Sequence, residues 1–257
     1  MTMKYLTGLL TVVVLLTVAL TSDNTAEIDK RFESTVMHEQ DRRILIFSKT
    51  DGFRHGSIET GRDAIKAWAE ERGVRADATE DASKFNSETL AQYDAIVFLN
   101  TTQTVFNDDQ RAAFKSYIQN GGGFVGIHSA TDTEYDWPWY NKLVGAYFSG
   151  HPHIQTARIE VVDSNHPSTE MLPEEFERRD EWYNFRDFND DVTVLLALDP
   201  QSFEGSDHPD FHPIAWYHEF DGGRSFYTGS GHTEESYSEE IFMNHLWGGI
   251  EYAMGVQ

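Results

Sequence analysis

Residues 124–140 read FVGIHSATDTEYDWPWY. Phe124 to Ile127 form an apolar run of the kind that makes a strand buried on both faces, and it stops abruptly at His128 and Ser129. In the pentapeptide 126–130, GIHSA, a strand enters a sharp turn with small residues on either side of a central reactive one. That layout lifts the central side chain above a sheet. An imidazole there suits a metal ligand or a general acid/base better than an acyl nucleophile.

Working outward, residues 43–49 (RILIFSK) and 94–100 (DAIVFLN) are two more apolar strands, each followed by turn-forming residues. Ser57 stands where a cap is needed, and Ile58, Ala64, Ile65, Trp68 and Ala69 recur at helical spacing until Gly73. A second amphipathic helix is expected from Asn107 to Asn120, ended by three glycines. Buried strands alternating with helices predict an α/β domain whose mostly parallel sheet is covered by helices. Beyond residue 150 the texture changes. Segments 157–162, 192–198, 213–220 and 224–230 are strand-like with few helices between them, and residues 239–254 close the chain as a helix. The second half therefore adds strands and long loops to a single domain.

Ligands of open parallel sheets bind beyond the carboxyl ends of the strands. Those ends carry Arg54 and His55 after the first strand, His128, Ser129 and Asp132 after the third, and His232 and Glu234 near the last. If they meet, His55, His128 and His232 are candidate metal ligands, with His128, His232, Glu234 and Asp132 as candidate catalytic groups. Aromatic faces pack on sugar rings while polar groups bind hydroxyls, so Arg54, Ser129, Trp137, Glu181, Tyr183 and Trp216 are candidate contacts for a carbohydrate. The backbone N–H of Ser129 could donate to a substrate oxygen.

The chain has 257 residues, with 43 acidic against 20 basic side chains and a formal charge of -23. Such a chain is repelled by nucleic acid and anionic lipid, and neutral ligands fit it better. It has no cysteine, which excludes disulfides, thiolate ligands and a thioester mechanism. Lys4 precedes an apolar stretch from Leu6 to Leu20 that is shorter than the roughly 20 residues needed to cross a bilayer. Residues 1–22 are read as a signal peptide, 23–41 as a linker and 42–256 as the domain. The mature protein is expected to be exported, periplasmic or extracellular, with no stable membrane insertion.

From Arg43 to Met254 the sequence resembles the ThuA-like (trehalose utilisation) family, whose fold is similar to that of class I glutamine amidotransferases, with flavodoxin-like layering. The resemblance is carried by residues 47–56 (FSKTDGFRHG), 122–141, 143–152 (LVGAYFSGHP), 179–185 (RDEWYNF), 223–237 (GRSFYTGSGHTEESY) and 245–255 (HLWGGIEYAMG). Amidotransferases of that fold place a cysteine at the elbow and a His-x-Glu pair at a later strand end. This chain has His128 at the elbow and His232-Thr233-Glu234 in the later place, so it is not a glutaminase. The resemblance implies sugar metabolism, in particular hydrolysis, elimination or isomerisation of oxidised 3-keto-glycosides beside a sugar dehydrogenase. The expected cofactor is a divalent metal, zinc or similar, and no nucleotide cofactor is expected. A non-catalytic sugar-binding module, or a partner of a sugar dehydrogenase, is the alternative.

Overall fold

The parallel strands grow from uninterrupted apolar runs: β1 (Arg43–Phe47), β3 (Ala95–Leu99) and β4 (Gly123–Ile127) are buried along almost their whole length. In the computed structural model, which describes residues 42–256, they alternate with α1 (Ile58–Glu71), α2 (Ser87–Leu90) and α3 (Asp108–Gln119). The expected signal peptide, 1–22, and the linker, 23–41, lie outside the described residues. Asn107 caps α3 through a reciprocal box with Gln110. Ser57 sits at the start of α1 but makes no cap; its hydroxyl donates instead to the Gly231 carbonyl, 3.3 Å away.

The remaining elements are α4 (Pro138–Val144), β5 (Tyr147–Gly150), β6 (Gln155–Val161), β7 (Glu175–Asp180), β8 (Asn184–Arg186), β9 (Thr193–Leu198), β10 (His212–Phe220), β11 (Gly223–Thr228) and α5 (Glu240–Met254). With β2 (Arg75–Thr79), nine strands form one sheet in the order β2-β1-β3-β4-β11-β10-β9-β6-β7, while β5 and β8 pair separately. The first five are mutually parallel. From β11 onward every neighbour is antiparallel, so four reversals bring β7 back to the direction of β11. The last residue of β7 therefore points to the same edge as the ends of β1, β4 and β11.

Helices cover both faces of the parallel half. On one, Phe98 stacks on Phe114 of α3, and Phe124 meets Tyr140 of α4. On the other, Gly249 of α5 allows Phe226 to approach; a Cβ there would stand 2.3 Å from that ring. The far edge is joined to the same layer, since the Arg178 guanidinium on β7 lies 4.8 Å from the Phe242 ring of α5. Among the described residues, no helix is long and apolar enough to cross a membrane.

Candidate metal centre at the carboxyl edge

His128 occupies the turn after β4 with φ of +48°, a left-handed conformation that side chains with a Cβ rarely adopt. The turn tolerates it because Gly126 leaves room; a Cβ there would already press on Ala130 and Tyr227 at 3.1 Å. The strained elbow aims the imidazole across the strand ends. Its Nδ1 stands 2.9 Å from the Gly229 carbonyl, which only accepts, so Nδ1 carries the proton and Nε2 of the neutral ring offers a lone pair.

Three further ligand atoms meet it. His232 Nδ1 is 3.1 Å from His128 Nε2 and 3.1 Å from Glu181 Oε2, and His128 Nε2 is 3.4 Å from the same oxygen. The His55 ring stands edge-on to both imidazoles, at 5.0 and 5.1 Å between centroids. One ligand atom from each of His55, His128, Glu181 and His232 can be chosen so that all lie within 4.8 Å of one another. Basic atoms this close repel unless a proton or a cation sits between them. The donors of a tetrahedral zinc stand about 3.4 Å apart for bonds of about 2.1 Å, so the three closest fit, and the His55 donor lies within 4.8 Å of them. Three nitrogens and one carboxylate suit zinc and its first-row neighbours.

The electrostatics keep the donors ready. Burial, and then the charges His128 and His232 would carry, push the His55 imidazole down to about 2, so it stays neutral. Burial alone would raise the Glu181 carboxyl, but the hydrogen bonds and charges that His128 and His232 supply when protonated outweigh it and hold the group well below the usual carboxylate range.

Glu181 follows β7, four strands from β11, which at the usual strand spacing is about 19 Å in a flat sheet. The contact of its carboxylate with His232 shows that the antiparallel half and its loops fold back over the edge. The other oxygen, Oε1, is 3.1 Å from Nδ1 of His151, whose place in the sequence suits a turn role as well as a site role. Nothing in the GHP tripeptide 150–152 reveals that contact, which depends on how the segment after β5 runs into β6, whose Gln155 pairs with Asp180 at the end of β7.

The other expected site residues divide. Tyr183 lies against His128 at 4.0 Å between ring centres, and the Ser129 hydroxyl is 3.4 Å from His55 Nδ1. Asp132 is held by Gln103 and Tyr135, and burial raises its carboxyl above the ordinary range despite those hydrogen bonds. Glu234 is exposed, and the carboxylate beside His232 is Glu181 instead. The Arg54 guanidinium is engaged by Glu59 and Glu80. Trp216 corrects the expectation of a sugar contact: it is fully buried, donates to the Val144 carbonyl and stacks on Tyr227. Trp137 is committed to a stack with Trp139 and Tyr140. Trp137 interleaves with acids in the sequence because it anchors its loop against the core.

An open depression of about 460 Å3, lined by Gly56, Ile154, Arg179, Glu234 and others, leads to His232. A cavity of about 530 Å3 at the opposite edge, between Arg42, Tyr93, Asp94 and Tyr117, gathers no comparable ligand set among the described residues.

Residues 43–253 match the family described as ThuA, trehalose utilisation. A protein described as ThuA-like from Bacteroides uniformis is 26% identical with a TM-score of 0.69, over 83% of this chain and 91% of that one. Another from Parabacteroides merdae is 17% identical with a TM-score of 0.67, over 83% and 90%. PurLQS from Thermotoga maritima shares the fold at a TM-score of 0.51 and 12% identity, over 83% and 97%. No curated protein matches the chain.

Proposed function

The chain belongs to the ThuA, trehalose-utilisation family, and from that premise we propose that it is a carbohydrate-processing enzyme centred on a divalent cation held by His55, His128, Glu181 and His232. The observation that carries this reading is the convergence of three imidazoles and one carboxylate within 4.8 Å at the carboxyl edge of the sheet. A divalent ion bound there acts as a Lewis acid towards a keto or hydroxyl oxygen of the substrate.

The chain's own residues do the rest. Gly229 fixes the tautomer of His128, and burial keeps His55 neutral, so both rings stay available as donors. Asp132, with its carboxyl raised by burial, can hold a proton beside the elbow and return it to a substrate hydroxyl. Phe53 stands exposed with its ring 4.9 Å from that of His55, giving a sugar an apolar face to rest on at the mouth.

The substrate we favour is an oxidised 3-keto-glycoside, delivered by a sugar dehydrogenase, and the reaction a hydrolysis, elimination or isomerisation. The apolar stretch after Lys4 supports export of the protein. The test is incubation of the zinc-loaded protein with methyl 3-keto-glucoside, followed by NMR. Turnover that disappears in His128→Ala and after chelation supports the proposal. Equal turnover in His128→Ala contradicts it.

A further inference from the structure

We propose that Asp180 is the positioning residue of this centre, fixing His232 and Glu181 in register with each other across the two halves of the sheet. The inference rests on reading the His/Glu cluster as a cation site.

Asp180 ends β7 and is fully buried. Its Oδ1 accepts from the backbone N–H groups of Glu181, at 2.9 Å, and His232, at 3.2 Å. Its Oδ2 accepts from the Gly231 N–H at 2.8 Å and the Ser236 hydroxyl at 3.1 Å, with the Arg178 guanidinium 3.6 Å away. A buried carboxylate survives only when it is paired and fully hydrogen-bonded, and this one is. Two of its four donors are the backbones of two of the four ligand residues. A third, Gly231, has φ of +106° and no room for a Cβ, which would stand 2.9 Å from Ile127 and Tyr237. The loop that aims His232 is thus held by its backbone, and the holder is the residue next to Glu181.

Glu134 provides the contrast. It is also fully buried, accepts from the backbone N–H groups of Val105 and Phe106, and pairs with Arg111 at 2.6 Å. None of the groups that donate to it belongs to one of the four ligand residues. If Asp180 were merely a structural acid, losing either carboxylate would affect zinc binding alike.

The experiment measures zinc affinity of the whole chain by competition with a chromophoric chelator, for wild type, Asp180→Asn and Glu134→Gln, with the melting temperature of each metal-free protein. Removing a partner that orients ligands costs about 10–100-fold in metal affinity, and that loss is expected for Asp180→Asn. Glu134→Gln is expected to melt lower yet bind zinc as wild type does. Wild-type affinity in Asp180→Asn, or an equal loss in both variants, overturns the inference. If Asp180→Asn does not fold, Ser236→Ala decides: a few-fold weaker zinc binding in a folded protein supports positioning, and unchanged binding refutes it. Zinc binding absent from wild type contradicts the cation site itself, an outcome distinct from a failure of positioning alone.

Discussion

The parallel half of the sheet delivers three imidazoles from the loops that directly follow its strands, whereas the antiparallel half delivers a single carboxylate by a longer route. His128 needs only its own elbow, with φ of +48° and glycine at 126, to be aimed. Glu181 needs four strand reversals, a curled sheet edge and a buried network through Asp180 to reach the same point. Local strain aims His128, while tertiary packing brings Glu181 in and ties it to the His232 loop. The two sides should therefore fail differently.

The largest expected effect is on the core that joins them. Trp216 on β10 fills space between Tyr227 and Phe185, so Trp216→Ala should cost about 3–5 kcal/mol in urea unfolding of the metal-free protein. A loss much below that would mean that the halves do not share one core. Next comes the carboxylate. Glu181→Gln removes a ligand outright, so its loss of zinc affinity should reach or exceed the roughly 100-fold upper bound for orienting residues, measured by the same chelator competition.

Acid should act on both halves together. Burial lowers His212 to about 4 and His245 to about 3, one on β10 and one on α5. Burial likewise lowers His166 to about 4. The unfolded chain then binds more protons than the folded one below about pH 6.5, so stability falls as pH drops from there towards those values. Each histidine contributes up to about 1.4 kcal/mol per pH unit in that window. Urea midpoints between pH 7 and 5 check this, before most carboxylates titrate, and a flat profile would contradict the buried neutral state. The smallest effect is expected at Arg54, whose exposed pairs with Glu59 and Glu80 should be worth less than about 1 kcal/mol. Arg54→Ala should leave zinc affinity unchanged.

The same division governs what can be read from the sequence. The runs ILIF, AIVFL and FVGI announce β1, β3 and β4 because strands buried on both faces are continuously apolar. β2, RADAT, and β7, EFERRD, are the two edges of the sheet, and alternating charges there carry no strand signal. The histidines were legible as residues at strand ends. The His-x-Glu spacing pointed to Glu234, yet the carboxylate in place is Glu181, also a candidate from the sequence, which follows β7, the strand that composition hides. Asp180 and Trp216 were opaque for the same reason: a carboxylate in a charged run and a tryptophan beside a histidine reveal their roles only through distant partners.

The most direct test of the account is elemental analysis of the purified chain after exposure to zinc, manganese and calcium, in wild type, His128→Ala and Glu181→Gln. One half of the sheet is altered in each variant. The account predicts a stoichiometric divalent cation in wild type that is lost from both variants. No cation in wild type, or a cation that both variants retain, would contradict it.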